Sequence, residues 1–289
     1  MSRIIKNVAE SKNRKLLHIS QTNGLNFNNL QRRYLQERFL YRISVSRFRD
    51  NFILKGGLLL VVVDFPSSRP TMDIDFLVKN ISRNQENISA VFKEICDIDS
   101  NDGIKFDSQS VETSEIEKDG DYNGVRVRFT ATMGTSKTVL SIDLGFNDIL
   151  IPSPRKISFP VILNEEHPQL NAYCIETIIA EKFEAITKLA LTNSRMKDFY
   201  DLYLILSNNA LDMNILKESI KATFQHRRTA IVYTPIAFTA TFYSDKNKQI
   251  QWKSFLSKRN IKDVPEDLSV VVKYLKSTLQ PIIKEIQQN

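Results

Sequence analysis

The 289-residue sequence has only two cysteines and three histidines. Cys96 and Cys174 lie far apart in the chain, so the sequence indicates neither a disulfide framework nor a thiolate zinc site. His18, His167 and His226 are isolated from one another and form no group with metal-ligand spacing. We therefore expect reduced thiols, and we expect oxygen atoms to hold any metal ion that binds.

Long apolar runs are also missing from the chain. The longest aliphatic run, residues 58–63, is far too short to cross a bilayer. The first residues mix Arg3 and Lys6 with polar side chains, unlike the apolar centre of a signal peptide. We expect a cytoplasmic protein that does not associate with a membrane.

Acidic residues are fewer than basic ones: the sequence has 33 Asp and Glu residues and 40 Lys and Arg residues, which gives a net charge of +7. The excess of positive charge is most visible after residue 180, in segments such as 225–228 and 246–248. Such a surface favours an anionic partner, for example a nucleic acid. A solvated basic face that keeps the protein soluble explains the same excess equally well.

The hydrophobic pattern predicts helices in the first 50 residues and a mixed β-sheet after them. Apolar residues recur at helical spacing between Leu30 and Leu40, and from residue 51 the pattern changes to short apolar runs bounded by turn residues. Residues 113–121 are polar and acidic and are expected to connect two strands, and we expect the sheet to end at Phe146. The predicted strands are 52–54, 71–79, 105–112, 124–132 and 137–146, with helices after the Gly56-Gly57 turn and over 84–96.

Prolines at positions 152, 154, 160 and 168 mark a connecting region, beyond which the pattern is helical. Helices are predicted over 175–190 and 195–207, with Asn193 or Ser194 as the N-cap of the second helix. We therefore place a domain boundary near residue 165. The fold class is α+β (α/β): residues 1–165 form a domain with N-terminal helices and a mixed sheet, and residues 166–289 form a helical C-terminal domain.

The first candidate site is a pair of acids in the strand Thr71-Met72-Asp73-Ile74-Asp75-Phe76. Residues two apart in a strand project to the same face, about 6.6 Å from each other, so Asp73 and Asp75 lie together while Met72, Ile74 and Phe76 face the core. Two close carboxylates on a largely buried strand repel each other unless a cation or several donors compensate. An exposed sheet edge or a pair of cap residues is the simpler explanation, but the apolar flanks favour a cation site.

A third acid interrupts the apolar strand of residues 139–146. The period of two puts Asp143 on the face of Ser141 and Gly145, opposite Leu140, Ile142 and Leu144, which belong to the core. If this strand neighbours the first, three carboxylates converge, which is the oxygen-rich arrangement that Mg²⁺ prefers. A single buried Asp often only satisfies a backbone amide, so the prediction depends on both strands together.

Gly56 and Gly57 permit close approach of a phosphate to the backbone, but a tight turn needs glycine without any ligand as well. In the predicted C-terminal domain, Asp198 and Asp201 are three residues apart and share a helix face. Lys182 on the preceding helix could neutralise a polyphosphate, although an ion pair within its own helix is the simpler explanation.

Several short motifs occur together and in one order along residues 51–205. Jointly they resemble the AbiEii (MenT-like) toxin nucleotidyltransferases, whereas residues 210–289 show a weaker similarity. The motifs are Lys55-Gly56-Gly57, Arg69-x-Thr71-x-Asp73-Ile74-Asp75, Ile142-Asp143-Leu144-Gly145-Phe146-x-Asp148, Ala180-Glu181-Lys182 and Arg195-x-Lys197-Asp198-x-x-Asp201-Leu202.

The resemblance implies a polymerase-β-like nucleotidyltransferase fold, with roles for each motif. Asp73 and Asp75 would hold Mg²⁺, and Asp143 would complete the metal site or act as a base. Gly56 and Gly57 would cradle the triphosphate of an NTP, the substrate. The remaining implied residues are Arg69 as a phosphate or carboxylate clamp, Lys182 as a phosphate contact, and Asp198 with Asp201 behind it as residues that position Lys182, the nucleotide or the acceptor.

The resemblance also implies partners for the protein. Members of the family are encoded beside a cognate antitoxin in toxin–antitoxin or abortive-infection systems, and some transfer nucleotides to the 3′ end of tRNA. One departure from the wider superfamily is that Leu58 follows Gly57, where many members have Ser or Thr to donate a hydroxyl to phosphate. Backbone amides could replace that contact.

Two other functions remain open from the sequence. An antibiotic-modifying nucleotidyltransferase would share the metal chemistry but would transfer to a small hydroxylated molecule. A non-catalytic module would only bind a nucleotide or a partner protein, although it would not need Asp143. A DNA-binding role for residues 1–50 is disfavoured, since no docking motif is recognisable there.

Overall fold

The computed structural model describes residues 8–63, 70–118 and 122–288. Contacts within the chain divide these residues into two compact units. The first unit contains the chain up to residue 62 together with residues 70–148 and 155–172, and the second contains residues 149–154 and the chain from residue 173. The last segment of the first unit ends at residue 172, and the domain boundary near residue 165 stays a prediction.

The first unit combines N-terminal helices with a β-sheet, as the hydrophobic pattern predicts, but residues 108–110 of the predicted strand 105–112 form a 3-10 turn instead. Its helices are α1 (Val8–Asn23), α2 (Phe27–Val45), α3 (Gly56–Val63) and α4 (Gln85–Cys96). Its strands are β1 (Phe52–Lys55), β2 (Asp73–Val78), β3 (Ile104–Phe106), β4 (Glu112–Lys118), β5 (Tyr122–Met133), β6 (Ser136–Phe146), β7 (Arg155–Ser158) and β8 (Gln169–Ala172).

All the strands within the described residues join one mixed sheet. Its order is β3-β5-β6-β2-β1-β8-β7, and β4 pairs with β5 outside this path. The pairs β2–β6 and β1–β8 are parallel, while the other neighbours are antiparallel. The parallel pairing of β2 with β6 confirms that the two acid-bearing strands are neighbours.

One face of this sheet packs against helices α2 and α4 and forms the core of the first unit. Phe39 of α2 and Phe92 of α4 meet Phe106 and Phe129 of the sheet in a cluster of stacked and edge-on rings. Residues alternate along each strand, so the residues between these apolar positions project to the opposite face. Acids of β2 and β6 therefore lie on the face that does not carry this aromatic cluster.

Helix α2 is also held by a buried ion-pair network. Nε of Arg38 and Nη1 of Arg42 donate to Oδ2 of Asp102, at 2.9 and 2.8 Å. Burial raises the pKa of the Asp102 carboxyl, but the hydrogen bonds and charge of Arg42, with those of Arg38, outweigh it and hold this pKa at about 2. The pairing fixes α2 against the residues that lead into β3.

The second unit is helical in the residues described. Its interior is built around large side chains that are almost fully buried, among them Phe183, Phe199, Tyr200 and Trp252. Helix α10 contributes an apolar stripe at helical spacing, from Leu268 to Ile283. The helices are α5 (Ile175–Leu189), α6 (Met196–Asn208), α7 (Met213–His226), α8 (Ala240–Tyr243), α9 (Lys246–Lys258) and α10 (Leu268–Gln288).

Two predictions about the sheet are wrong. The polar segment expected to connect strands contains β4, which pairs antiparallel with β5 and lacks a continuous apolar pattern because residues 112–116 are exposed or partly exposed. The sheet also does not end at Phe146, since β8 pairs with β1 and β7 pairs with β8. These two strands have four residues each, which is too short for a distinct alternation.

Two local predictions also need correction. Met72 precedes β2 and is 54% exposed, whereas Ile74 and Phe76 are buried as expected. Neither Asn193 nor Ser194 is the N-cap of α6, a position that Arg195 occupies without a side-chain capping bond. Asn193 acts one step earlier, where its Oδ1 accepts the backbone N–H of Arg195 at 2.7 Å and fixes the turn into the helix.

Candidate active site

The structure brings the three predicted acids of the first unit together on neighbouring strands. In the register of β2 and β6, Asp75 lies directly beside Asp143, and Asp73 lies beside Ser141. Asp143 is 7% exposed, while Asp73 and Asp75 are partly exposed. The sheet therefore presents three carboxylates on one face.

Charged residues extend this row across four strands. Lys55 at the end of β1 is paired in register with Asp75, and Arg126 of β5 is paired with Asp143. Lys55 also forms a short ion pair with Asp148, which follows β6. Within the row, two cations thus stand at the ends and two acids in the middle.

Arg126 binds both oxygens of Asp143 through one edge of its guanidinium. Nε of Arg126 donates to Oδ1 of Asp143 at 2.7 Å, and Nη2 donates to Oδ2 at 2.8 Å. These hydrogen bonds raise the pKa of the Arg126 guanidinium against the effect of its partial burial, and the charges of Asp143, Asp73 and Asp75 raise it further. Such a bidentate pair is among the stronger side-chain interactions in proteins.

Gly56 is required by the position of Asp75. Its φ is +68°, and a Cβ atom placed there would lie 2.2 Å from Oδ2 of Asp75 and 2.6 Å from its Cγ. Gly56 thereby lets the first turn of α3 approach the carboxylate. Gly57 follows as a buried residue of the same turn. The predicted contact of this turn with triphosphate stays a prediction.

The donor set suits a hard cation in its chemistry, because carboxylate and hydroxyl oxygens are what Mg²⁺ prefers. Oγ of Ser141, beside Asp73, is buried and lacks a hydrogen-bond partner, so it adds an oxygen to the same face. Even so, no three His, Cys, Asp or Glu side chains of the described residues are arranged to hold a metal ion. Arg126 hydrogen-bonds both oxygens of Asp143, and its positive charge opposes a cation shared between Asp143 and the acids of β2.

In the second unit, Lys182 and the two predicted acids of α6 form one buried cluster. Nζ of Lys182 donates to Oδ1 of Asp198 at 3.0 Å and to Oδ2 of Asp201 at 2.7 Å. Asp198 is 0% and Asp201 1% exposed, and Nε of Arg195 pairs with Oδ2 of Asp198 at 2.8 Å. The acids hold the lysine ammonium from a neighbouring helix, so the pairing is not within one helix.

Other predicted residues have different outcomes. Arg69 lies outside the described residues. The basic segments 225–228 and 246–248 are partly used inside the second unit. Arg227 pairs with Glu181 and Glu184, and Lys248 is buried with its Nζ donating to the backbone oxygen of Asn193. Arg227 and Lys248 therefore stabilise the second unit through these contacts.

A set of exposed cations on the sheet was missed by the sequence reasoning. Lys105 and Lys137 both pair in register with Thr132, and Arg128 pairs with Ser141, so all three share the face of the acids. They are exposed and form no ion pair with any residue that the structure describes. The alternation of Arg126 and Arg128 with Val125, Val127 and Phe129 is the signal that could have found this face.

A mixed sheet that carries an Asp-x-Asp strand beside a parallel strand with a third Asp is the arrangement expected of a nucleotidyltransferase, and the family comparison shows that class. The chain belongs to the AbiEii nucleotidyltransferase toxin family. The family described as "Nucleotidyl transferase AbiEii toxin, Type IV TA system" matches residues 38–272. The protein is therefore an enzyme of the nucleotidyltransferase class with an NTP substrate, and its family implies an antitoxin partner.

Two solved structures share the fold. JHP933 from Helicobacter pylori is 13% identical with a TM-score of 0.52, over 91% of this chain and 97% of that one. A second H. pylori protein, described as a candidate nucleotidyltransferase, is 14% identical with a TM-score of 0.50, over 91% of this chain and 98% of that one. Among curated proteins none matches at a significant level. The helices of the described residues include none with the length and apolar character of a membrane span.

Proposed function

We propose that this protein is a toxin that transfers a nucleotide from an NTP to a hydroxyl at the 3′ end of an RNA, with tRNA as the acceptor and Mg²⁺ as the cofactor. One observation carries the proposal: the register of β2 and β6 sets Asp143 beside Asp75 on the face that also carries Asp73. Three carboxylates on adjacent strands repel one another, and a bound cation relieves that repulsion.

Asp73, Asp75 and Asp143 are the residues proposed to hold the cation. Bound there, Mg²⁺ would activate the acceptor hydroxyl and neutralise charge on the triphosphate. The oxygen of that hydroxyl attacks the α-phosphorus, the bond to the β,γ-phosphates breaks, and pyrophosphate leaves. Asp143 is proposed either to complete the metal site or to act as the base that accepts the hydroxyl proton.

The other residues are proposed to bind and orient the nucleotide. Gly56 and Gly57 would expose backbone N–H groups at the start of α3 to phosphate oxygens. Lys182 would contact phosphate as a point charge, with Asp198 and Asp201 holding its ammonium in place. Their observed bonds at 3.0 and 2.7 Å support a positioning role for the two acids. Arg69 remains a proposed phosphate or carboxylate clamp.

The proposed RNA acceptor is supported by the open face of the first unit. Lys105, Arg128 and Lys137 are exposed, unpaired with the described residues and on the face that carries the acids. Phosphates of a polynucleotide would neutralise such cations. A small cationic acceptor, such as an aminoglycoside, would instead be repelled, so this surface favours RNA over the antibiotic-type acceptor.

The test is incubation of the purified protein with each labelled NTP in turn, Mg²⁺ and total RNA from the host. The expected result is label attached to one class of RNA from one preferred NTP. Asp73→Asn should remove the labelling, while Asp263→Asn, which changes an exposed acid of the second unit, should keep it. Label found only on small molecules would contradict the RNA acceptor, and equal labelling by both variants would contradict the metal site.

A further inference from the structure

The pairing of Arg126 with Asp143 has a consequence for cation binding. Both carboxylate oxygens accept hydrogen bonds from one guanidinium, at 2.7 and 2.8 Å, and the side chain of Asp143 is 9% exposed. Arginine stays protonated at every pH at which proteins are folded, so the guanidinium keeps its positive charge beside Asp143. Each oxygen keeps a second lone pair, but a cation that approaches Asp143 meets the repulsion of the adjacent guanidinium charge, so Arg126 opposes its binding.

The Arg126 side chain is partly exposed, and a bound cation would repel it. Its side chain is 29% exposed, and Ser114, its register neighbour on β4, is uncharged and exposed. The other acids on the face, Asp73 and Asp75, lie on β2, one strand beyond Asp143. A cation placed among these acids would repel the guanidinium, and the triphosphate that accompanies it would offer new acceptors.

We propose that Arg126 is a positioning residue that competes with the metal ion for Asp143 and transfers to the phosphates of the NTP when the ion binds. This inference rests on the proposed magnesium site. The exchange makes no net change in ion pairs: Asp143 passes from a guanidinium to a divalent cation, and the guanidinium passes from a carboxylate to a phosphate. Arg126 thereby restricts assembly of the metal site to the moment when nucleotide is present.

The experiment measures Mn²⁺ binding to the full chain without nucleotide, from the electron paramagnetic resonance signal of free Mn²⁺. In Arg126→Gln the carboxylate is released, and we expect Mn²⁺ to bind about tenfold or more tightly than to the unchanged protein, the size expected for loss of a charged hydrogen-bonded competitor. Arg128→Gln is the matched control, because it removes an equal charge from the same strand and face without breaking an ion pair. It should bind Mn²⁺ less than about threefold more tightly.

A second measurement separates this role from a merely structural one. Arg126→Gln should raise the KM for NTP because the phosphate contact is lost, and Arg126→Lys should restore part of that affinity. Mn²⁺ binding by Arg126→Gln that is weaker than, or equal to, that of Arg128→Gln would overturn the inference, since Arg126 would then orient Asp143 as a ligand. Binding that is unaffected by Asp75→Asn would instead overturn the proposed metal site itself.

Discussion

The two acid clusters of this protein are built in opposite ways. In the first unit, Asp73, Asp75 and Asp143 lie on one face of a sheet, and two of the three are partly exposed. In the second unit, Asp198 and Asp201 are buried to 0% and 1% exposure against Lys182. In the first cluster Asp73 and Asp75 reach solvent and only Asp143 is buried against a cation, whereas the second cluster buries both of its acids against its own lysine.

The two clusters differ in the energetic cost of their carboxylates. Acids that remain near solvent cost little in the folded protein and are available for binding. Buried acids must be paired wherever they occur, because an unpaired buried charge is strongly destabilising. Lys182 therefore stabilises the fold whether or not it also contacts phosphate. A measurement of stability is needed beside an activity assay to distinguish the two roles.

The largest effect on stability is expected from Lys182→Ala. The substitution leaves two buried carboxylates of α6 without their shared donor, so the free energy of unfolding should fall by about 3–5 kcal/mol. Urea denaturation measures it, with Lys188→Ala as the control, since Lys188 is an exposed residue of the same helix. A loss no greater than that of the control, about 0.5 kcal/mol, would remove the distinction between the clusters.

Gly56→Ala should have the next largest effect. Gly56 and Gly24 have nearly the same positive φ, +68° and +62°, but an added Cβ meets Asp75 only at Gly56, and at Gly24 it meets nothing within 4 Å. Backbone strain should cost both variants about 1–2 kcal/mol. The contact with Asp75 should cost Gly56→Ala about 1–3 kcal/mol more and displace the carboxylate.

Thermal or urea unfolding of the two glycine variants measures this difference, and a transfer assay measures the displacement. Gly24→Ala should keep nucleotide transfer, and Gly56→Ala should lose it. Equal destabilisation by the two substitutions would mean that the turn yields without moving Asp75.

Asp73→Asn and Asp75→Asn should have little effect on stability and should abolish nucleotide transfer. Each removes one of several repelling carboxylates, so the free energy of unfolding should rise or stay within about 1 kcal/mol of the unchanged protein. Transfer should fall to background because the proposed metal ligand is gone. Folded variants of both residues that still transfer nucleotide would contradict the proposed mechanism.

The smallest effect on the fold is expected from replacing Lys105, Arg128 and Lys137 together by glutamine. These side chains are exposed, so each should change stability by no more than about 0.5 kcal/mol. If each contacts a phosphate of single-stranded RNA, the slope of log binding constant against log salt should become shallower by about 2. An unchanged slope would place the RNA elsewhere on the protein.

Most of the fold and the acids of the site could be predicted from the sequence because they follow the periods of strands and helices. Asp73, Asp75 and Asp143 each interrupt an apolar alternation, and the spacing of Asp198 and Asp201 indicates a shared helix face. Strand β4 could not be predicted in this way, because residues 112–116 are exposed or partly exposed and the pairing is supplied by β5.

The pattern of residues along the chain is enough to predict which side chains share a face within each element, since local geometry sets that period. Tertiary structure decided which elements are neighbours: that Asp75 stands beside Asp143, that Arg126 binds Asp143, and that Lys182 pairs with α6. These contacts join residues distant in the chain, and their strength depends on burial and on the surrounding charges. Neither burial nor those charges can be obtained from the spacing of residues along a strand or helix.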